Sequence, residues 1–237
     1  NALKAYNFVI SKPKNTFTES ALLAASELSY KGSSYTDALN QYKKLEEVAE
    51  LNSSLLEARV GQMRAYYSLN DNNNVVLAAD KVLHTEKVSE SLQREARYKK
   101  GKALYADKKN NLALDEFRIL SHDVNSSEGA EAKYRICEIY FNDKQTAIAE
   151  YEIFDFIGQK TSQEYWLAKT FILLADLYIQ KNDIFQAKHT LKSIIDNYNP
   201  DANDEIINTA KEKYNKIVED EKYDVTKDKQ EEIEITF

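Results

Sequence analysis

The sequence predicts an all-α protein built from repeated pairs of helices, and three observations carry that reading. Its 237 residues include only 5 Gly and 2 Pro, too little turn chemistry for a sandwich, a barrel or a glycine-looped nucleotide fold. A triplet recurs along the chain: Ala, a bulky residue four positions on, and another three beyond that. This spacing sets all three on one helical face. Short polar segments separate the helical stretches, and their Asn and Asp side chains bond locally to backbone, which favours turns over continued helix.

The chain opens at Asn1 without Met and already in helical pattern. It therefore reads as a fragment, or as a mature form from which a targeting segment was removed. Residues 1–13 read as an incomplete repeat, with Asn1, Ala5 and Phe8 on a second helix ahead of Pro13. Fuller pairs follow at about 18–51, 56–87, 92–122, 129–158 and 164–198. Their second helices carry Ala38, Tyr42 and Leu45; Ala78 and Val82, a weaker copy; Ala113, Phe117 and Leu120; Ala147, Tyr151 and Phe154; and Ala187, Leu191 and Ile194. The copies start 34 to 40 residues apart. Polar turns are expected at 31–34, 70–74, 107–111, 142–145 and 181–183.

Each first helix needs a small residue where it crosses its partner, while bulky residues fill the space toward the next pair. Gly101 supplies it in one pair and Cys137 in the next, where the thiol reads as a packing group. A last amphipathic helix is expected at 204–219, with Ile206, Ile207, Ala210, Tyr214 and Ile217 covering the final pair. Residues 1–218 thus read as one array and 220–237 as an acidic, flexible tail. From Glu219 onward eight acidic residues face three basic ones, the composition of a solvated terminus. Within it Ile233, Ile235 and Phe237 alternate like a strand able to add to another molecule's edge.

Composition excludes several function classes. A net charge of −7 argues against non-specific nucleic-acid binding. No run approaches the 18 apolar residues of a membrane span, and a 43% hydrophobic share is enough for a core. One Cys cannot form an internal disulfide. The spacing of Cys137, His84, His122 and His189 holds no metal motif. Carboxylates such as Glu95, four residues before Lys99, read as surface ion pairs rather than an acid/base dyad. No catalytic residues, metal ligands or cofactor site are expected, and the chain reads as not an enzyme.

Gly101, Ala103, Leu104, Tyr105, Ala113, Phe117 and Leu120 resemble the tetratricopeptide repeat, as do Phe171, Leu174, Ala175, Tyr178, Asn182, Asp183, Ala187, Leu191 and Ile194. The period of about 34 residues agrees. The resemblance implies a right-handed α-solenoid of antiparallel helix pairs whose first helices line a concave, partner-binding face. Projected on that pattern, the inward residues are Glu27, Tyr30, Arg64, Tyr67, Tyr98, Lys102, Tyr105, Tyr134, Glu138, Phe141, Ile172 and Asp176. Rings interleaved with charges of both signs suit a protein or peptide partner: rings give contact area and charges fix register. The clamp that chaperone-binding members use for a terminal carboxylate needs a Lys–Asn pair. The matching places hold Leu23 and Glu27, Met63 and Tyr67, Tyr98 and Lys102, Tyr134 and Glu138, and Ile172 and Asp176, so no clamp is expected.

The implied function is an interaction scaffold without cofactor, binding an extended peptide or a partner helix. The alternative is a structural spacer segment of a longer repeat protein in the bacterial envelope. Separately, the N-terminal helix and the C-terminal tail are the expected surfaces for self-association. The apolar stretch around Trp166 reads as a buried first helix or as an anchor for a partner. Similarity to bacterial cell-envelope members of this family implies a periplasmic or outer-membrane-associated setting.

Overall fold

The structure, a computed structural model, describes residues 2–199 and 205–235, with side chains as far as Tyr223. Among the described residues it is helical, without strands. The helices are α1 (Ala2–Ile10), α2 (Thr18–Lys31), α3 (Tyr35–Val48), α4 (Asn52–Ser68), α5 (Asn72–Leu83), α6 (Glu90–Ala106) and α7 (Asn110–Leu120). They continue with α8 (Ser127–Asn142), α9 (Thr146–Gly158), α10 (Glu164–Gln180), α11 (Ile184–Asn197) and α12 (Ile206–Ile235). The chain divides into two compact units, Asn1–Leu120 and Ser121–Phe237. The first holds α1 to α7 and the second α8 to α12.

A single device joins the helices of every pair. The connection is three residues long, and its middle residue has a left-handed backbone: Ser33 (φ 61°), Asn70 (56°), Lys108 (59°), Lys144 (61°) and Asn182 (59°). The next amide in each turn donates back to a carbonyl five residues earlier. These bonds run from Ser34 to Ser29, Asp71 to Tyr66, Lys109 to Leu104, Gln145 to Tyr140 and Asp183 to Tyr178, all at 2.9 to 3.0 Å. This is the Schellman arrangement, which satisfies carbonyls that a helix end leaves unpaired. The turns fix a common register for all five pairs.

Counting from the left-handed residue, the buried triplet of each second helix falls five, nine and twelve positions on. It comprises Ala38, Tyr42 and Leu45; Val75, Ala79 and Val82; Ala113, Phe117 and Leu120; Ala149, Ile153 and Phe156; and Ala187, Leu191 and Ile194, all at most 6% exposed. Two expected triplets are thereby corrected. The weak copy at Ala78 begins instead at Val75, three residues earlier. In α9, Ala147, Tyr151 and Phe154 face solvent, with Tyr151 69% and Phe154 47% exposed. This helix is apolar on two faces, so two triplets have the right spacing, and only packing selects between them. The first helices carry their crossing residue seven positions before the turn: Ser26, Met63, Gly101, Cys137 and Ala175, each buried. A Cβ on Gly101 would stand 2.8 Å from the Phe117 ring, so bare backbone is what allows that approach.

The ends depart further from expectation. Helix α1 packs against α2, but Ala5 and Phe8 are exposed, and Ile10 instead meets Leu22, Leu45 and Ala58. Asn1 lies outside the described residues. Residues 206 to 217 seat Ile206, Ala210 and Ile217 against α10 and α11, while position 204 lies outside the described residues. Helix α12 then continues past 219 to Ile235, so no change of secondary structure marks the shift in composition. Ile233 and Ile235 are helical, which overturns the strand reading, and Phe237 lies outside the described residues. Among the described residues no helix is long and apolar enough to cross a membrane.

Candidate functional site

The twelve candidate residues occupy three register positions on the first helices. Ten residues before the left-handed turn stand Tyr98, Tyr134 and Ile172. Six before it stand Glu27, Arg64, Lys102, Glu138 and Asp176, and three before it Tyr30, Tyr67, Tyr105 and Phe141. Glu27 is exposed, Tyr134 is buried at 6%, and the others are half-buried.

In the first unit these side chains tie successive first helices together. The Tyr30 hydroxyl lies 3.1 Å from Ser68 Oγ, linking α2 to α4. Arg64 donates through Nε and one terminal nitrogen to both carboxylate oxygens of Glu95 on α6, at 2.8 and 2.7 Å. Burial pushes the Glu95 carboxyl up, but the Arg64 bonds outweigh it and hold the group below its ordinary range. The Lys99 ammonium sits 4.2 Å from the Tyr67 ring centre, and burial lowers its pKa. Lys102 lies over Tyr98 at 5.2 Å, and Tyr105 meets Phe117 edge-on.

Three of the second unit's five candidates border a cavity of about 160 Å³ between α8, α10 and the start of α12. Tyr134, Ile172 and Asp176 line it together with Lys169, Glu205 and Thr209. The Tyr134 hydroxyl donates to Glu138 at 2.9 Å, and Glu138 also accepts from Arg135 at 2.7 Å. Two carboxylates, Glu138 and Glu131, hold the Arg135 guanidinium above its ordinary pKa despite burial. Asp176 accepts from Lys213 at 2.7 Å. Phe141 stands apart from the cavity, beneath Lys144 at 6.0 Å. Trp166 is half-buried, with its ring 5.5 Å from Tyr134 and 5.0 Å from Tyr165. Sequence reasoning missed Lys169, Glu205 and Thr209. Lys169 lies a full turn before the register positions considered, and Glu205 and Thr209 come from the element read only as a cap.

This succession of helix pairs matches a solved structure over most of its length. The crystal structure of YrrB, described as a tetratricopeptide-repeat protein with an unusual peptide-binding site, superposes with a TM-score of 0.58 at 19% identity. The match covers 82% of this chain and 92% of that one. The fold is that of a tetratricopeptide-repeat protein. A tetratricopeptide-repeat protein from Parabacteroides merdae is also similar, with 14% identity, a TM-score of 0.44, and 88% and 90% of the two chains covered. The P58(IPK) tetratricopeptide-repeat domain gives 14% and 0.37, over 86% of this chain and 56% of that one. No family model matches the sequence, and no curated protein does.

On this tetratricopeptide-repeat scaffold the candidate side chains offer rings and paired charges rather than reactive groups. Among the described residues no three His, Cys, Asp or Glu side chains stand close enough to share a metal ion. Burial pushes the Cys137 thiol up to about 12, far from the thiolate a nucleophile needs. His84, His122 and His189 are exposed, and His84 Nδ1 lies 2.7 Å from its own helix's Asp80 carbonyl oxygen.

Proposed function

We propose that the chain is a non-enzymatic interaction module that takes an extended peptide or a partner helix against its first helices. The observation that carries this reading is the recurrence of a half-exposed ring three residues before the turn in four of the five pairs, Tyr30, Tyr67 and Tyr105 in the first unit and Phe141 in the second, with Ile179 at that place in the fifth. One turn earlier on the same helices stand Glu27, Arg64, Lys102 and Glu138. A peptide crossing successive first helices of the first unit meets a ring and a charge at each step. Rings supply contact area at small entropic cost, and charges set register. The fold shared with YrrB, itself described as having a peptide-binding site, is consistent with such a role.

The test is selection of a displayed random-peptide library on the wild-type protein, followed by affinity measurement on a Tyr67→Ala, Tyr105→Ala variant. Both rings are half-exposed, so helicity should be unchanged while affinity falls at least tenfold. Undiminished affinity in the variant would overturn the reading.

A second reading, a structural spacer whose contacts lie with other chains, draws on α1. That helix has no buried residue, and Leu3 and Phe8 expose 36% and 64% of their surface. Nothing in the comparisons speaks for the cell-envelope setting that the resemblance implied.

A further inference from the structure

The lining of the cavity in the second unit carries more acid than base. Of its three ionisable carboxylate or ammonium lining groups, Asp176 and Glu205 are acidic and Lys169 is basic. Tyr134 forms another wall, and a ring face attracts cations through its quadrupole. The chain's own cations already exploit this corner. Lys169 Nζ lies 5.5 Å from the Tyr134 ring centre, 5.4 Å from that of Tyr165 and 5.8 Å from that of Trp166. The Arg135 guanidinium lies over Tyr134 and Trp166 at 5.4 and 5.7 Å, and Lys213 holds Asp176 at 2.7 Å.

These cations are not held equally. Arg135 is gripped by Glu131 and Glu138 at 3.2 and 2.7 Å. Lys169 Nζ stands 3.8 Å from Glu205 Oε1 and 3.5 Å from the Tyr165 hydroxyl, beyond the usual length of a charge-assisted hydrogen bond. Its ammonium ends a long flexible stem, and the exposed Glu205 carboxylate also accepts from the Tyr165 hydroxyl at 2.9 Å.

We propose that this cavity takes a guest arginine or lysine side chain, which displaces Lys169 from Glu205 and lies against Tyr134 between Glu205 and Asp176. The inference rests on the peptide-binding reading above and adds to it the class of side chain that the second unit selects. The volume suits one head group: about 160 Å³ is close to the roughly 150 Å³ cavity that accepts a benzene ring. A guest carboxylate would meet Asp176 and Glu205 as like charges, and the ring faces of Tyr134 and Trp166, which repel anions. Against these stand only the ammoniums of Lys169 and Lys213, which those carboxylates already hold, so selectivity should follow sign.

The experiment uses the whole chain and capped pentapeptides of Gly with a central Arg, Lys, Glu or Ala. Binding is followed by the emission of Trp166, the only Trp in the sequence, from which Lys169 would move. The Arg and Lys peptides should give saturable changes, and the Glu and Ala peptides none. Glu205→Gln and Asp176→Asn should each weaken the Arg peptide at least fivefold. Lys169→Met, which removes the competing ammonium and keeps the stem, should tighten it at least threefold, a gain that misfolding cannot mimic. Equal response to the Glu peptide, no saturable response to Arg, or no gain in Lys169→Met would overturn the inference. Library-selected peptides that lose affinity in the Tyr67→Ala, Tyr105→Ala variant, found together with no saturable response to the Arg peptide, would sink it while leaving the broader reading standing.

Discussion

Gly61 on α4 lies directly beneath the ring of Tyr42 on α3: a Cβ added to Gly61 would fall 2.3 Å from the ring's Cε1 and Cζ. Tyr42 is buried at 6%, so its ring has little room to retreat. Gly61→Ala gains about 1 kcal/mol of helix propensity but forces overpacking that costs about 1–3 kcal/mol. The expected result is a net loss on the order of 1 kcal/mol, read from urea or thermal unfolding. The loss should vanish when the ring is removed first, so on a Tyr42→Ala background Gly61→Ala should be neutral or stabilising. An equal loss on both backgrounds would place its origin elsewhere.

The two apolar faces of α9 make opposite predictions. Ile153 and Phe156 are fully buried, while Tyr151 and Phe154 face solvent. Ile153→Ala and Phe156→Ala should cost about 2–5 kcal/mol each, through lost burial and the cavity left behind. Tyr151→Ser and Phe154→Ser should stay within about 0.5 kcal/mol of wild type. A large loss from the second pair would mean that those rings are covered in solution.

That contrast also marks how far the sequence could be read. The helix pairs were legible because Ala113, Phe117 and Leu120, or Ala187, Leu191 and Ile194, occur on helices with one apolar face. Helix α9 failed because apolar residues at 147, 148, 149, 151, 153, 154 and 156 satisfy two registers at once. In α5, Val75 at the crossing broke the Ala pattern, which drew attention to Ala78. The left-handed turns were the hidden ruler: Ser33, Lys108 and Lys144 carry no Gly or Asn signal, yet they set the same geometry as Asn70 and Asn182. The candidate rings and charges of the first helices were placeable because three such positions repeat. The cavity was not, because Lys169 and Glu205 meet only through the packing of α10 against α12.

The turns themselves can be tested. A residue other than Gly in the left-handed region costs about 1–2 kcal/mol, partly offset because Gly loses more chain entropy on folding, about 0.5–1 kcal/mol. Lys108→Gly should therefore stabilise the first unit by up to about 1 kcal/mol. Lys108→Val should destabilise it by at least that amount, since a β-branched residue tolerates positive φ poorly. Asn182→Gly should change little, because Asn already visits this region readily. If Lys108→Gly and Lys108→Val moved unfolding midpoints in the same direction, the common turn geometry would be in error.

Glu46 gives the clearest dependence on pH. Burial pushes its carboxyl up, but hydrogen bonds from Gln62, Lys81 and Arg59 outweigh that and hold it below the ordinary value of 4.5. Gln62 donates at 2.7 Å, Lys81 at 3.0 Å and Arg59 at 3.1 Å, so the carboxylate links α3 to α4 and α5. With the folded pKa depressed, the folded state binds this proton less readily than the unfolded chain. The contribution to stability is complete above the unfolded pKa and is lost as pH falls through the folded one. Glu46→Gln should therefore be less stable than wild type at pH 7, and the gap should close as the solution is acidified below about pH 4.5. Urea midpoints for the two proteins, measured from pH 7 to pH 3, decide the matter. A constant gap across that range would show that Glu46 acts through packing rather than charge.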